Sequence, residues 1–248
     1  MLGVHHPLVK SVRKAVQHGA RTDDGYAVAE GFHLLHEAIR ANALIGAILA
    51  TPRAAEKLGN TGKLHLVDET ILHQISSVEN SQGLISLIQI DDYPLEDCLA
   101  DDTLVIALDG IQDPGNAGAI IRSAEAFGAT GAVFLKGAVS PWNPKTLRAS
   151  AGSLFRLPFA ISDWETFQAE IQKRGIPLYA AHPRAEKRAA EVPFHQPAAI
   201  LIGSEGQGVP AEHERYATSV RIPTQNVESL NAALAAGILL YEARRQRS

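Results

Sequence analysis

Residues 104–128 read LVIALDGIQDPGNAGAIIRSAEAFG, and their order decides the fold class. Leu104-Val105-Ile106-Ala107-Leu108 is an unbroken apolar run that stops at Asp109-Gly110. A strand with one wet face would alternate; a continuous run marks a strand covered on both faces, as in a parallel sheet. The loop IQDPGNAG then enters the helix AIIRSAEAFG, which Gly128 is placed to end. Strand, loop and helix in succession form the unit of a doubly wound α/β fold.

Working outward, the same alternation continues to the C-terminus. Ala132–Leu135 reads as the next strand, and Pro144 suits the first turn of a helix running to about Ala151. Trp164–Arg174 reads as a helix, Pro177–Ala181 as a strand, and Ala198–Ile202 as a strand that runs straight into GSEGQG. The chain closes on IPTQNVESLNAALAAGILLYEARRQR, residues 222–247. There Ser229 is the expected helix start, and Leu230, Ala233, Leu234, Gly237, Ile238 and Tyr241 share one expected buried face. Arg244, Arg245 and Arg247 end the helix where its dipole favours cations.

Before residue 92 the pattern is a smaller mixture of helices and strands. A basic amphipathic helix carries Leu8, Val9, Val12 and Val16, and strands are expected at 26–29, 44–49, 64–67 and 84–90. Helices fit Phe32–Arg40 and Glu69–Ile75. The acidic, proline-containing stretch from Asp91 to Asp102 reads as a junction. The expected domains are therefore 1–92 and 103–248, with a linker at 93–102.

Composition excludes several classes. One cysteine, Cys98, leaves no internal disulfide framework and no cysteine-based zinc site, and no metal is expected. No apolar run reaches membrane-spanning length, so a cytoplasmic protein is expected. The net charge of −4 argues against indiscriminate coating of nucleic acid, yet local basic patches remain open. Lys10, Arg13, Lys14 and Arg21 form one such patch, and Arg148, Arg156 and the C-terminal arginines another.

Three loops carry the chemistry. In the first, Asn116 sits at the expected N-cap of a helix beginning near Ala117, with Arg122 on its second turn. An ordinary capped helix with a solvated arginine fits the same residues. In the second, Gly203-Ser204-Glu205-Gly206-Gln207-Gly208 is neither GxGxxG nor a Walker A loop. Its glycines admit a close backbone approach, and Glu205 favours a ligand with amino or amide donors over a bare phosphate. The third is the stretch opening at Ile222. All three follow strands of one parallel sheet and so can converge at its carboxyl edge.

NAGAIIRSAEAFG, LIGSEGQGV and IP…VESLNAALAAGILLYE resemble, in order and spacing, the three motifs of the SpoU (TrmH-like) RNA 2′-O-methyltransferases of the SPOUT superfamily. The resemblance spans residues 103–248, and LRASAGSLFRLPF resembles the family's linking segment. VAEGFHLLHEAI and NSQGLISLI resemble an L30e-like RNA substrate-binding domain. The resemblance implies a deep trefoil knot, S-adenosylmethionine bound within it, and a homodimer formed partly through the C-terminal helix. It places Gly203, Gly206, Ile222, Pro223 and Leu230 at the cofactor. It makes Asn116, Arg122, Glu205, Ser229 and Asn231 the catalytic and substrate-positioning residues. Where the family usually reads IPM with a glycine shortly after, this chain has Thr224-Gln225-Asn226.

The implied reaction is methyl transfer to a ribose 2′-hydroxyl of RNA, with 23S-type ribosomal RNA and guanosine favoured. A guanidinium stays protonated in proteins, so Arg122 is expected to grip the adjacent phosphate rather than to abstract the proton itself. His5, His6, His182 and His195 lie outside the motifs and are expected to serve surface or packing. Two other readings are a non-catalytic RNA-binding or ribosome-assembly protein of the same fold, and a transfer RNA 2′-O-methyltransferase.

Overall fold

A computed structural model of the chain describes residues 1–58, 62–99 and 101–248. It divides into two compact units, Met1–Asp91 with Ser140–Phe155, and Asp92–Val139 with Arg156–Ser248.

The first unit is built on a four-stranded sheet of β1 (Tyr26–Glu30), β2 (Ile45–Ala50), β3 (Leu64–Leu66) and β4 (Leu84–Gln89), in the order β1-β4-β2-β3. β4 runs antiparallel to β1 and β2, and β3 runs parallel to β2. The helices are α1 (Pro7–His18), α2 (Phe32–Arg40), α3 (Pro52–Ala55) and α4 (Glu69–Ile75). Strand residues of odd and even number face opposite ways. Val28, Leu49 and Ile85 accordingly pack with Val9 and Val12 of α1 and Leu72 of α4. Ile48, Ala50 and Leu84 pack with Leu35 of α2 and Ala54 of α3.

The division differs from the expected one at Ser140–Phe155, which the sequence pattern assigns to the second domain. Its helix α6 (Pro144–Ser150) packs on β1. The Trp142 indole N–H donates to the Ile90 carbonyl at 2.8 Å, and the Arg21 guanidinium lies 4.0 Å above the same ring. The physical reason is the burial of Leu147 and Leu154, apolar residues that this crossover needs to cover.

The second unit carries a seven-stranded sheet. Its strands are β5 (Leu104–Asp109), β6 (Gly131–Leu135), β7 (Phe159–Ser162), β8 (Leu178–Ala181), β9 (Lys187–Arg188), β10 (Ala198–Gly203) and β11 (Thr218–Arg221). The order is β7-β6-β5-β10-β8-β11-β9, and every paired neighbour is parallel. β5, β6 and β10 are buried along their whole length, as their apolar runs require. Phe167 and Ile171 of α7 (Trp164–Lys173) join Val105, Val133 and Leu201 in one core. α5 (Pro114–Ala126) and α9 (Ala232–Gln246) pack on each other, and α8 (Ala211–Glu214) is a single turn. Within the expected linker a 3-10 turn covers Leu95–Cys98, and Cys98 is fully buried. That burial, with the Asp97 carboxylate nearby, pushes its thiol up to about 12. Ala100 lies outside the described residues.

Three local expectations change. α5 begins at Pro114, with Asp113 as the N-cap accepting from Asn116 N at 2.7 Å, so Asn116 is the third residue of the helix. α9 begins at Ala232 with Asn231 as its N-cap, and Ser229 lies in the loop before it. The buried face of α9 is Ala232, Ala236, Leu239, Leu240 and Ala243, whereas Leu234 and Tyr241 are each 54 % exposed.

Candidate functional site

β5 and β10 lie side by side in register, with Asp109 opposite Gly203 at their carboxyl ends. Their following loops therefore leave the sheet together, and those after β8 and β11 leave from the next two strands. A crevice at this edge is where open parallel sheets bind ligands. Here it is a cavity of about 390 Å³. Its apolar wall comes from Ala181, Ile202, Val220, Ile222, Ala232 and Ala235, and its polar rim from the loops.

The glycine loop is closed by a pair of backbone bonds, Ser204 N to Gly208 O at 3.1 Å and Gly208 N to Ser204 O at 2.9 Å. A Cβ on Gly203 would stand 2.0 Å from the Gly208 carbonyl carbon, so the closure needs glycine there. Nothing lies within 4 Å of where a Cβ on Gly206 would be, so that glycine keeps the cavity side open. In the loop after β11, Asn226 takes φ +65°, a left-handed conformation that asparagine tolerates better than most residues. Thr224 Oγ1 braces the turn by donating to Val227 O at 3.1 Å.

Of the residues singled out in the sequence, Gly203, Glu205, Gly206, Ile222, Ser229 and Leu230 line the cavity. Pro223 does not line it. Asn116 and Asn231 join Glu205 in one chain of side chains. The Asn116 amide donates to Glu205 Oε1, and Asn231 Nδ2 donates to Asn116 Oδ1 at 3.0 Å. The first turn of α5, the glycine loop and the N-cap of α9, 89 and 115 positions apart along the chain, are thus brought into direct contact. Arg122 has no hydrogen-bond or ion-pair partner among the described residues. Six residues beyond Asn116 on α5, it lies about 9 Å further along the axis on a different face.

Sequence reasoning misses His182 and Arg184, both at the cavity. His182, expected to serve surface or packing, lines the cavity. It directly follows β8, and a position just past the carboxyl end of a parallel strand is the available signal. Its Nδ1 accepts from Arg184 N at 3.2 Å. Also missed is a brace behind the site, in which His213 Nδ1 meets the buried Asp109 carboxylate at 2.7 Å while its ring stacks on Trp164 at 4.0 Å. Part of the expected basic surface is engaged internally. Arg156 pairs with Glu125 at 2.5 Å, Arg245 with Glu242 at 2.7 Å, and Arg247 turns inward. Among the described residues no cluster of three or more metal-ligating side chains occurs, and no helix is long and apolar enough to cross a membrane.

Residues 103–241, more than half of the chain, match the model of the SpoU rRNA methylase family. The chain belongs to that family. Residues 6–86 match the MRM3-like substrate binding domain. Among relatives of this SpoU protein, an uncharacterized tRNA/rRNA methyltransferase of Synechocystis is 34 % identical over 98 % of this chain and 92 % of its own. The 23S rRNA (guanosine(2553)-2′-O)-methyltransferase RlmP of Bacillus subtilis is 29 % identical over 95 % of each. The crystal structure of an AdoMet-bound rRNA methyltransferase from Sinorhizobium meliloti superposes with a TM-score of 0.84 at 31 % identity, covering 99 % of this chain and 97 % of that one. The SPOUT type of parallel sheet preceded by a substrate-binding domain is the architecture of this chain.

Proposed function

We propose that this SpoU protein transfers a methyl group from S-adenosylmethionine to a ribose 2′-hydroxyl of 23S-type ribosomal RNA, guanosine being favoured, in the cytoplasm and as a homodimer. The observation that carries the reading is the Glu205–Asn116–Asn231 chain, whose Glu205 lines a cavity shaped by the second and third motif loops and the turn after β8. A volume of about 390 Å³ falls within the roughly 300–1,000 Å³ of small-molecule sites. The donor set fits a nucleoside bearing an amino acid moiety. Apolar Ala181, Ile202 and Ile222 suit a base, the glycine loop offers backbone groups, and Glu228 suits a cationic group.

When bound, S-adenosylmethionine supplies a methyl group already activated on a sulfonium. What remains for the chain is alignment of the hydroxyl and exclusion of water, the terms that dominate an in-line displacement. Asn116 and Asn231 are read as orienting the site, Ser229 as the hydroxyl group at its mouth, and Gly203, Gly206, Ile222 and Leu230 as the cofactor's contacts. Arg122, without a protein partner among the described residues, is read as the grip on the phosphate beside the target ribose. The reading carries with it the trefoil-knotted course of the chain. The homodimer is supported by the exposed apolar strip of α9, where Leu234 and Tyr241 stand out of the core.

The test is calorimetric titration with S-adenosylmethionine, followed by nucleoside mass spectrometry of unmethylated ribosomal RNA incubated with protein and cofactor. Micromolar binding and appearance of a 2′-O-methylnucleoside are expected. Binding of RNA with neither result would favour a non-catalytic assembly protein, and methylation of transfer RNA alone would reassign the substrate. Arg122→Lys is expected to lose at least about tenfold in kcat/KM, because an ammonium cannot reproduce the planar fork. Retention of most activity would exclude any role that needs that fork.

A further inference from the structure

The amides of the site leave no choice about which end of each is oxygen. Asn231 Oδ1 accepts from the backbone N–H groups of Ala233 and Leu234 at 2.9 and 3.2 Å, which only an oxygen can do. Its nitrogen therefore faces Asn116 and donates to Oδ1. The Asn116 nitrogen is in turn committed to Glu205, where it donates to Oε1. A helix cap thus sets the polarity of a side-chain relay, and the relay must end on an acceptor. Glu205 supplies that acceptor with one oxygen. Its other oxygen, Oε2, has no partner among the described residues, and Glu205 lines the cavity.

We propose that Glu205 is the proton acceptor of the methyl transfer, and that Asn231 and Asn116 are positioning residues holding its carboxylate by Oε1 so that Oε2 is left for the ribose hydroxyl. The proposal rests on the methyl-transfer reading above. The 2′-oxygen forms its bond to the methyl carbon while the carbon–sulfur bond breaks and its electron pair stays on sulfur. The hydroxyl proton passes to Glu205 Oε2 and from there to water, so the sulfonium's positive charge leaves as that proton. Arg122 is unsuited to this step, since a guanidinium carries no free acceptor. A carboxylate held by a neutral amide keeps its second oxygen available and needs no group to deprotonate first.

The relay can be tested by reversing it. Glu205→Gln keeps the shape and can still accept from Asn116, but removes the proton acceptor. Asn231→Asp keeps the helix cap, yet its carboxylate repels Asn116 Oδ1 and turns that amide round, so the hold on Glu205 is lost. With both changes together, the new amide at position 205 donates to Asn116, and Asn116 donates to the new carboxylate at position 231. Every hydrogen bond is then satisfied in the opposite sense. Wild-type binding of S-adenosylmethionine and methylation of RNA are measured first, because failure there overturns the methyl-transfer reading itself. With an active wild type, Glu205→Gln is expected to lower kcat about 100-fold or more, with KM for RNA and Kd for S-adenosylmethionine within about threefold. Asn231→Asp is expected to lower kcat at least about tenfold at unchanged melting temperature. The double variant is expected to stay at the level of Glu205→Gln. In ¹H–¹⁵N spectra the Asn116 side-chain amide signals are expected to move in both single variants, which reports the relay without turnover. Glu205→Gln retaining more than a third of kcat, or a double variant more active than Glu205→Gln, would overturn the assignment.

Discussion

Gly203 has no room for a methyl group, since a Cβ there meets the backbone of Gly208 and Val209 at 2.0–2.2 Å. Gly203→Ala must therefore open the loop that carries Glu205. It is expected to weaken S-adenosylmethionine binding by at least about tenfold and to lower the melting temperature, as read by calorimetry and thermal unfolding. Arg247 makes a comparable commitment at the other end of the sheet. Its guanidinium donates to the carbonyls of Phe194, Asp102, Thr103 and Gln196 at 2.7–3.1 Å, and its side chain is only 12 % exposed. Arg247→Lys cannot reproduce that planar fan and is expected to cost about 2 kcal/mol in urea unfolding. Sequence separates these two arginine fates badly. Arg122 and Arg247 both read as solvated cations in their local sequence, and only the tertiary course of the chain sets four carbonyls around one of them. The capping residues are hard to read for a related reason. Asp113 and Asn116 are both good caps, as are Ser229 and Asn231, so local chemistry does not choose between neighbours three or two positions apart. Pro114, held at the first helical position by its fixed φ, decides the first case.

At the scale of elements, α9 shows what periodicity can and cannot read. Apolar residues surround nearly the whole helix, so the 3.6-residue repeat offers two stripes and no reason to prefer one. Packing against α5, β10 and the turn Ala189–Glu191 together buries Ala232, Ala236, Leu239, Leu240 and Ala243. The expected stripe through Leu234 and Tyr241 is left outside the core, with Tyr241 edge-on to Phe127 at 5.7 Å. The two stripes make opposite predictions. Leu239→Ala should destabilise the fold by about 2–5 kcal/mol, a cavity cost. Leu234→Glu should leave melting of the fold nearly unchanged and shift the mass seen in light scattering from dimer to monomer. A dimer that survives Leu234→Glu would remove α9 from the interface. The strands are more legible, because Leu104–Leu108 and Ala198–Ile202 are buried on both faces and have only one way to be read. The strands at 159–162 and 218–221 escape notice because they are short and lie outside the central pair.

At the scale of the whole molecule, the chain does not divide where its composition does. The acidic stretch after residue 90 marks one crossing between the units, and the sequence carries no comparable sign for the two crossings that flank Ser140–Phe155. That segment lies between two strands of the large sheet, β6 and β7, yet it packs within the small unit. Gly152 is one token of the fit, since a Cβ there would stand 2.6 Å from Cβ of Glu37 in α2. Asn143 is another, closing over Gly19 at the end of α1. A fragment ending at residue 91 would therefore lack α6, the Trp142 indole that caps Ile90, and the cover that α6 gives β1. Small domains bury too little surface to lose such a cover cheaply. The 1–91 fragment is expected to keep its helix content by far-ultraviolet circular dichroism while unfolding broadly and binding a hydrophobic dye. Adding residues 140–155 as a separate peptide is expected to sharpen the transition. A fragment that unfolds as sharply alone as with the peptide would return Ser140–Phe155 to the catalytic unit and restore a boundary near residue 92.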